Sequence, residues 1–196
     1  MQQNQATHNT LVNDLPPKNI KNPFNYIYLS LIIIALDQAT KIAVRYKMNL
    51  YDEISVIGDF FKLTYVENSG AAFSISLGSI FFNRLFFSTV TFFLIGVIIW
   101  MLKKSKNVWE KISFALIIGG GIGNLIDRLV FGSVTDFFDF YFFNIFGLER
   151  WPIFNIADSS VVVAMFILII YTIFFEGRSQ KKKQKHEEPI FPSAEI

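Results

Sequence analysis

The sequence contains no cysteine, and its two histidines, His8 and His186, both lie in polar terminal segments. The lack of cysteine excludes disulfide bonds, thiolate metal sites and cysteine nucleophiles. Because no imidazole lies in the apolar part of the chain, hydrolysis of the Ser-His-Asp type and the usual zinc sites are excluded there as well. Any catalysis within the apolar part must therefore work without thiolate or imidazole.

Long apolar runs make up most of the chain. Of its 196 residues, 52% are hydrophobic and 17% are aromatic, and the charged residues cluster between the apolar runs. This composition is typical of a protein that crosses a membrane several times. We predict four spanning helices, each near the roughly 20 residues that a bilayer requires. These predicted helices are residues 26–44, 80–102, 112–130 and 157–175.

The basic residues predict how these helices cross the membrane, because Lys and Arg accumulate in cytoplasmic loops. Eleven of the eighteen basic residues fall on one side of a four-helix arrangement. They are Lys18, Lys21, Lys103, Lys104, Lys106, Lys111, Arg178, Lys181, Lys182, Lys183 and Lys185. We therefore predict that both termini are cytoplasmic and that the two other connections, residues 48–78 and 133–154, face the periplasm.

This topology divides the chain into a disordered cytoplasmic leader (residues 1–23), a membrane domain (24–177) and a basic, polar cytoplasmic tail (178–196). Within the membrane domain, the β-favouring runs "FFKLTYV" and "AAFSISL" flank "ENSG" and predict a hairpin on the outer surface. The aromatic residues of 133–154 predict a segment at the membrane interface. The predicted fold class is an all-α membrane protein with four transmembrane helices, a small periplasmic β-hairpin or cradle and this interfacial aromatic segment.

Apart from the basic clusters on the inner side and Glu110 and Glu176 at helix ends, the ionisable residues of the predicted helices lie in their outer parts, together with Asn124. They are Asp37, Lys41, Arg84, Asn124, Asp127, Arg128 and Asp158. Asp37 and Lys41 are four residues apart, so a salt bridge between them would tie the first helix down. Because the inner halves are apolar, the pattern favours an enzyme that acts at one depth over a channel or proton pump.

Small residues recur every four positions in the third predicted helix, at Ala115, Gly119 and Gly123. This spacing predicts close packing against a neighbouring helix. A phosphate-binding role is not expected, because the glycines lie within a span and not between a strand and a helix.

Asp158 lies at the start of the fourth predicted helix, where an uncompensated charge at membrane depth would cost roughly 2.5 to 3.5 kcal/mol. In one interpretation it is part of a helix cap, with Asn155 as the N-cap residue. In the other it faces a second carboxyl group and takes part in catalysis, as in aspartic proteases. Either Asp136 or Asp139, both in "GSVTDFFDF", could be the partner, and spacing alone does not separate them.

Five motifs occur in order along the four predicted spans: "DQATK", "ENSGAAF", "GGGIGNLIDR", "VTDFFDF" and "FNIADSS". Together they resemble the lipoprotein signal peptidases, the type II signal peptidases of bacteria, over roughly residues 26–176. The resemblance implies an aspartic endopeptidase of the inner membrane that cuts prolipoproteins just before a diacylglyceryl-modified cysteine, with no metal or other cofactor. We expect a monomer whose partners are diacylglyceryl-prolipoproteins and membrane lipids, and not nucleic acid.

The resemblance also implies which residues form the site, on the periplasmic side. The family's catalytic aspartates match Asp136 and Asp158. The polar residues around them match Asn68, Asn124, Arg128 and Asn155. The polar residues expected to support the fold are Asp37, Lys41 and Asp127. Because a helix N-terminus favours a negative charge, we expect Asp158 to be ionised and Asp136 to hold the proton that the pair shares.

Two other functions fit parts of the sequence. A serine–lysine signal peptidase would use Lys41 with Ser69 or Ser159, but it would leave Asp136 and Asp158 unexplained. A small polytopic transporter is disfavoured by the apolar inner halves of the helices and by the lack of an internal repeat.

Overall fold

The computed structural model of the protein describes residues 22–70, 79–145 and 148–176. Within them, four helices are long and apolar enough to cross a membrane. They are α1 (Ile27–Lys47), α2 (Ile80–Lys104), α3 (Val108–Val130) and α4 (Ile156–Tyr171). A 3-10 turn (Pro23–Tyr26) precedes α1, and a π-helical turn (Thr172–Glu176) continues α4. The four predicted spans are thus confirmed, with bounds that differ by a few residues.

Helix α3 lies at the centre of the bundle and packs against α1, α2 and α4. The small residues of α3 allow its neighbours to pack closely. The carbonyl oxygen of Ala115 accepts a hydrogen bond from Ser30 Oγ on α1 at 2.7 Å. A methyl group added at Gly119 would lie 2.8 Å from Ile33 Cβ, and one at Gly123 would lie 2.6 Å from Asp37 Oδ2. The prediction of close packing at these positions is therefore confirmed.

Four strands form one antiparallel sheet at the end of the bundle where α1 and α3 end and α4 begins, in the order β1-β2-β3-β4. They are β1 (Glu53–Ile57), β2 (Phe61–Asn68), β3 (Val134–Ile145) and β4 (Leu148–Arg150). An apolar cluster of Val44, Met48, Tyr65 and Phe137 packs the sheet onto the end of α1. Because burying a large apolar side chain contributes roughly 1.5–3 kcal/mol, this cluster fixes where β3 lies relative to the helices.

A β-hairpin is present in this region, but the structure shows it between β1 and β2. The run "FFKLTYV" forms most of β2 as expected, whereas its hairpin partner is β1, which precedes it. The turn between them contains Gly58 at φ 48°, a left-handed conformation that suits glycine. The motif "ENSG" begins within β2, which ends at Asn68. Residues 71–78, which include "AAFSISL", lie outside the described residues, so the turn predicted at "ENSG" stays a prediction.

The aromatic segment 133–154 forms strands β3 and β4, which the sequence pattern did not reveal. Its rings pack along the sheet: Phe140 stacks on Phe61 at 4.6 Å and on Phe154 at 5.8 Å between ring centroids. Aromatic residues favour strands, but an unbroken aromatic run hides the alternation that identifies one. The position of this segment at the membrane interface stays a prediction. The division of the chain into a leader, a membrane domain and a tail also stays a prediction, since residues 1–21 and 177–196 are not described.

Candidate active site

Asp158 occupies the first turn of α4 as part of a reciprocal helix cap. The Asn155 side chain accepts a hydrogen bond from the Asp158 backbone N–H at 2.9 Å, and Asp158 Oδ2 accepts one from the Asn155 backbone N–H at 3.3 Å. The cap interpretation is therefore confirmed. The cap uses only Oδ2 of Asp158. The other carboxylate oxygen, Oδ1, faces α3 and accepts a hydrogen bond from Asn124 Nδ2 at 2.8 Å.

Asp136 lies near the start of β3 and is buried, with 3% of its surface exposed. Its Oδ1 accepts a hydrogen bond from Asn155 Nδ2 at 2.6 Å, and its Oδ2 accepts one from Asn68 Nδ2 at 3.1 Å. Asn155 thus binds Asp136 through its side chain and Asp158 through its backbone. This one residue holds a strand carboxyl and a helix carboxyl beside each other.

The surroundings of Asp136 favour its protonated form. Burial is the largest effect and, together with the negative charge of Asp158, raises the pKa of Asp136 to about 7. The hydrogen bonds from Asn68 and Asn155 and the charge of Lys41 act in the opposite direction. At neutral pH the site can therefore contain one protonated carboxyl.

Lys41 lies beneath this pair, fully buried at the centre of a charged network. Its Nζ is 2.8 Å from Asp37 Oδ2 and 3.2 Å from Asp127 Oδ2, and it donates to Asn124 Oδ1 at 2.8 Å. The expected Asp37–Lys41 salt bridge is present. Asn124 connects this network to the carboxyl pair, because its amide group also donates to Asp158.

Asp139, the alternative partner that spacing left open, has a different environment. Its two oxygens accept hydrogen bonds from Thr64 Oγ1 and Arg150 Nε, both at 2.6 Å, and Arg150 forms a second contact through its terminal nitrogen. Residues three apart in a strand lie on opposite faces, so Asp139 points away from the face that carries Asp136. The Asp139 carboxylate forms an ion pair with Arg150 within the sheet and does not face Asp158.

The remaining expected residues contact the pair less directly. Arg128 approaches the carbonyl oxygen of Gly70 at 3.5 Å and lies over the ring of Phe87. It therefore joins α3 to α2 and to the end of β2. Ser159 donates to the backbone of its own helix at 2.8 Å. Since Lys41 is paired with two carboxylates, it is poorly placed to act as a neutral base for a serine nucleophile.

Two network residues, Gln38 and Arg45, were missed by the sequence interpretation. Gln38 Nε2 donates to Asp37 Oδ2 and to the carbonyl oxygen of Gly123, both at 3.1 Å. Arg45 Nε donates to Thr135 Oγ1 at 2.8 Å. For Arg45 the available signal was the four-residue spacing from Lys41, which places both on one face of α1.

Comparison with known proteins gives concordant results. The profile of the family described as "Signal peptidase (SPase) II" matches residues 29–174. The lipoprotein signal peptidase of Desulforapulum autotrophicum is 41% identical over 149 residues, covering 74% of this chain and 90% of that protein. That of Alteromonas mediterranea is 42% identical over 171 residues, covering 86% and 90%. A solved structure described as a bacterial membrane enzyme matches with a TM-score of 0.68 and 30% identity, covering 86% of this chain and 94% of that one.

Proposed function

The chain belongs to the lipoprotein signal peptidase family, and from this membership we propose that Asp136 and Asp158 are its two catalytic aspartates. It is an aspartic peptidase of bacterial membranes, and its substrates are prolipoproteins. The observation that carries the proposal is the position of Asn155, which donates to both carboxyl groups, to Asp136 at 2.6 Å and to Asp158 at 3.3 Å. The ion pair between Asp139 and Arg150 argues against this role for Asp139.

The two aspartates differ in their surroundings, and the difference supports different roles for them in the proposed reaction. Asp158 lies at the N-terminus of α4 and accepts hydrogen bonds from Asn124 and from the Asn155 backbone, all of which favour a charged carboxylate. Asp136 is buried on a strand, where its raised pKa of about 7 allows it to keep a proton. Asp158 is therefore the general base and Asp136 the general acid.

Hydrolysis then proceeds in two steps without a covalent enzyme intermediate. Water attacks the carbonyl carbon while Asp158 takes a proton from the water and Asp136 donates its own proton to the carbonyl oxygen. When the C–N bond breaks, Asp158 gives its proton to the leaving nitrogen. Asp136 regains a proton from one hydroxyl of the tetrahedral intermediate, which restores the starting state of both aspartates.

The amide side chains around the dyad hold it in position. Asn68 donates to Asp136 from the end of β2, and Asn124 donates to Asp158 from α3. Arg128 approaches the carbonyl oxygen of Gly70, just beyond the end of β2, so its charge lies on the same side of the bundle as the dyad. We assign these three residues to substrate binding and dyad support, and Asp37, Lys41 and Asp127 to support of the fold.

The site is proposed to lie on the periplasmic side, with both termini cytoplasmic. Lys103, Lys104 and Lys111 cluster where α2 ends and α3 begins, and cytoplasmic loops favour such clusters. Along α3, Lys111 and Asp127 are separated by about 24 Å at 1.5 Å per residue, so the dyad lies at the other end of the bundle. We propose that a monomer is active, because all of the proposed site residues come from one chain.

The decisive experiment measures cleavage of a diacylglyceryl-modified prolipoprotein by purified enzyme. Asp136→Asn and Asp158→Asn should each abolish turnover and still bind the lipidated substrate with near-normal affinity. Asp59→Asn is the matched control, since Asp59 is an exposed carboxylate of the β1–β2 turn, with 89% of its side chain accessible. Normal turnover by Asp136→Asn would disprove the assignment of the dyad.

A further inference from the structure

The backbone amide immediately before each proposed catalytic aspartate is held by a buried carboxylate. The N–H of Ala157 donates to Asp37 Oδ1 at 3.0 Å, and the N–H of Thr135 donates to Asp127 Oδ2, also at 3.0 Å. Both carboxylates are fully buried and come from other elements, α1 and α3. The dyad is therefore positioned through its backbone as well as through hydrogen bonds to its side chains.

These two carboxylates need two positive charges, because an unpaired buried charge is strongly destabilising. Lys41 lies between them and supplies one. Arg45, one helical turn further along α1, supplies the other: a terminal guanidinium nitrogen is 3.0 Å from Asp127 Oδ1. The Arg45 side chain is itself largely buried, with 16% of its surface exposed. The positive charge of Arg45 thus neutralises the second carboxylate, on the side of the network that contacts β3.

Arg45 also contacts β3 directly. Its Nε donates to Thr135 Oγ1 at 2.8 Å, so Arg45 holds the side chain of the same residue whose backbone N–H Asp127 holds. Arg45, Asp127 and Thr135 therefore form a closed ring of polar contacts. The guanidinium group lies 3.7 Å from the centroid of the Phe131 ring, which fixes the plane of its fork of donors.

The strand pairing next to Asp136 explains why such a ring is needed. The register between β2 and β3 shifts between Leu63 and Val66, and Val66 pairs with Asp136. Thr64 and Tyr65 of β2 lie opposite Phe137 alone, so this bulge in β2 interrupts the ladder of backbone hydrogen bonds beside Asp136. Asp158, by contrast, lies in a capped helix turn. Asp136 is thus the member of the pair whose backbone depends more on contacts from outside its own element.

We propose that Arg45 is a positioning residue for Asp136, which it holds opposite Asp158 by fixing Thr135 and Asp127. The inference rests on the proposed catalytic role of Asp136, and Arg45 itself does not touch the reacting atoms. A displacement of about 1 Å in a catalytic group can reduce the rate by about 100-fold. Loss of Arg45 therefore acts on the chemical step more than on the binding of substrate.

The test is steady-state cleavage of a lipidated prolipoprotein, with kcat referred to folded enzyme. Arg45→Met should lower kcat by about 10- to 100-fold and change KM by less than about threefold. Arg45→Lys keeps the charge but not the fork of donors, so it should recover part of the lost kcat. Lys47→Met is the matched control, because Lys47 is the other basic residue in the last turn of α1 and is exposed; its kcat and KM should be unchanged.

A double-mutant cycle identifies the route of the effect. Thr135→Val keeps the shape of this buried residue and removes the oxygen that accepts from Arg45. It should lower kcat as Arg45→Met does, and the two changes together should be no worse than the first alone. Additive losses, or a wild-type kcat in Arg45→Met, would overturn the proposal. If Arg45→Met does not fold, Arg45→Lys and Thr135→Val decide the question, and an unchanged kcat in both overturns it.

The Asp136 and Arg45 variants together separate a failure of this inference from a failure of the proposed function. Full activity in Asp136→Asn would remove the catalytic role of Asp136 and, with it, the basis for any positioning by Arg45. An inactive Asp136→Asn with a fully active, folded Arg45→Met would leave the dyad in place and contradict only the role of Arg45. A stability change in Arg45→Met without a change in kcat would likewise identify Arg45 as structural and overturn the proposal.

Discussion

Replacing Asn68 by Ala should reduce cleavage and at the same time move its pH dependence to higher pH. Asn68 donates a hydrogen bond to Asp136 Oδ2 at 3.1 Å, which favours the ionised form of that carboxyl and so lowers its pKa. Without this bond the ionised form is less stable, and the pKa of Asp136 rises above its value of about 7. Because Asp136 is the proposed proton donor, activity is present below this pKa and is lost as the pH rises through it.

The size of the shift follows from the strength of the bond. A hydrogen bond to a charged group contributes roughly 1.5–3 kcal/mol, and about 1.4 kcal/mol corresponds to one pKa unit. Asn68 is only partly buried, so water can replace much of the lost bond. We therefore expect the alkaline limb of kcat/KM against pH to move up by about one unit, to about pH 8.

The assay compares kcat/KM of the wild type and of Asn68→Ala from about pH 5 to pH 9 with a lipidated prolipoprotein in one detergent. Asn49→Ala is the matched control, since Asn49 is an exposed asparagine near the sheet whose partner is Asp52. Its alkaline limb should coincide with that of the wild type. An unmoved limb in Asn68→Ala, or one displaced to lower pH, would refute the assignment of Asp136 as the proton donor.

Three further predictions concern the sheet, the substrate and the membrane topology. Asp139→Asn should retain substantial turnover, because Asp139 lies outside the proposed dyad. It should also lower the melting temperature, since Arg150 loses its buried partner. Loss of activity at an unchanged melting temperature would contradict this prediction. A prolipoprotein whose cysteine lacks the diacylglyceryl group should be cut far more slowly at equal concentration, because acyl chains contribute roughly 0.8 kcal/mol per buried methylene towards holding the peptide at the depth of the dyad; equal rates would refute that reason. A cysteine at Ser55 should react with an impermeant thiol reagent in intact cells and one at Ser105 should not; the reverse labelling would invert the proposed orientation.

The helices could be predicted from the sequence because each span is an apolar run of membrane length, a signal that needs no tertiary information. The sheet was harder to predict, since its pairing depends on contacts between segments that are far apart in the chain. Strand β1 has all five residues exposed, so the burial pattern that identifies a half-buried strand is absent from it. The β1–β2 hairpin, which turns at Gly58, was therefore not predicted.

Within the site, the residue types could be predicted from the sequence, but spacing alone could not distinguish two carboxylates three positions apart, and only the family resemblance indicated Asp136. Asp136 and Asp139 occupy opposite faces of β3, and alternation alone does not indicate which face meets α4. The distinction comes from partners distant in sequence: Asn155 for Asp136, and Thr64 with Arg150 for Asp139. Arg45 was overlooked for a related reason, because a basic residue in the last turn of a spanning helix usually indicates the membrane interface.

The different secondary structures of the two aspartates give the dyad its asymmetry. Two identical side chains can serve as acid and base only if their surroundings separate their affinities for a proton. At Asp158 the N-terminus of α4 and the reciprocal cap favour the charge. At Asp136 a buried strand offers no such dipole, and the backbone just before it is held by the Arg45, Asp127 and Thr135 ring. Removal of Arg45 should therefore displace Asp136, the proposed acid, more than Asp158. We expect Arg45→Met to slow protonation of the carbonyl oxygen and to leave the capped Asp158 in place.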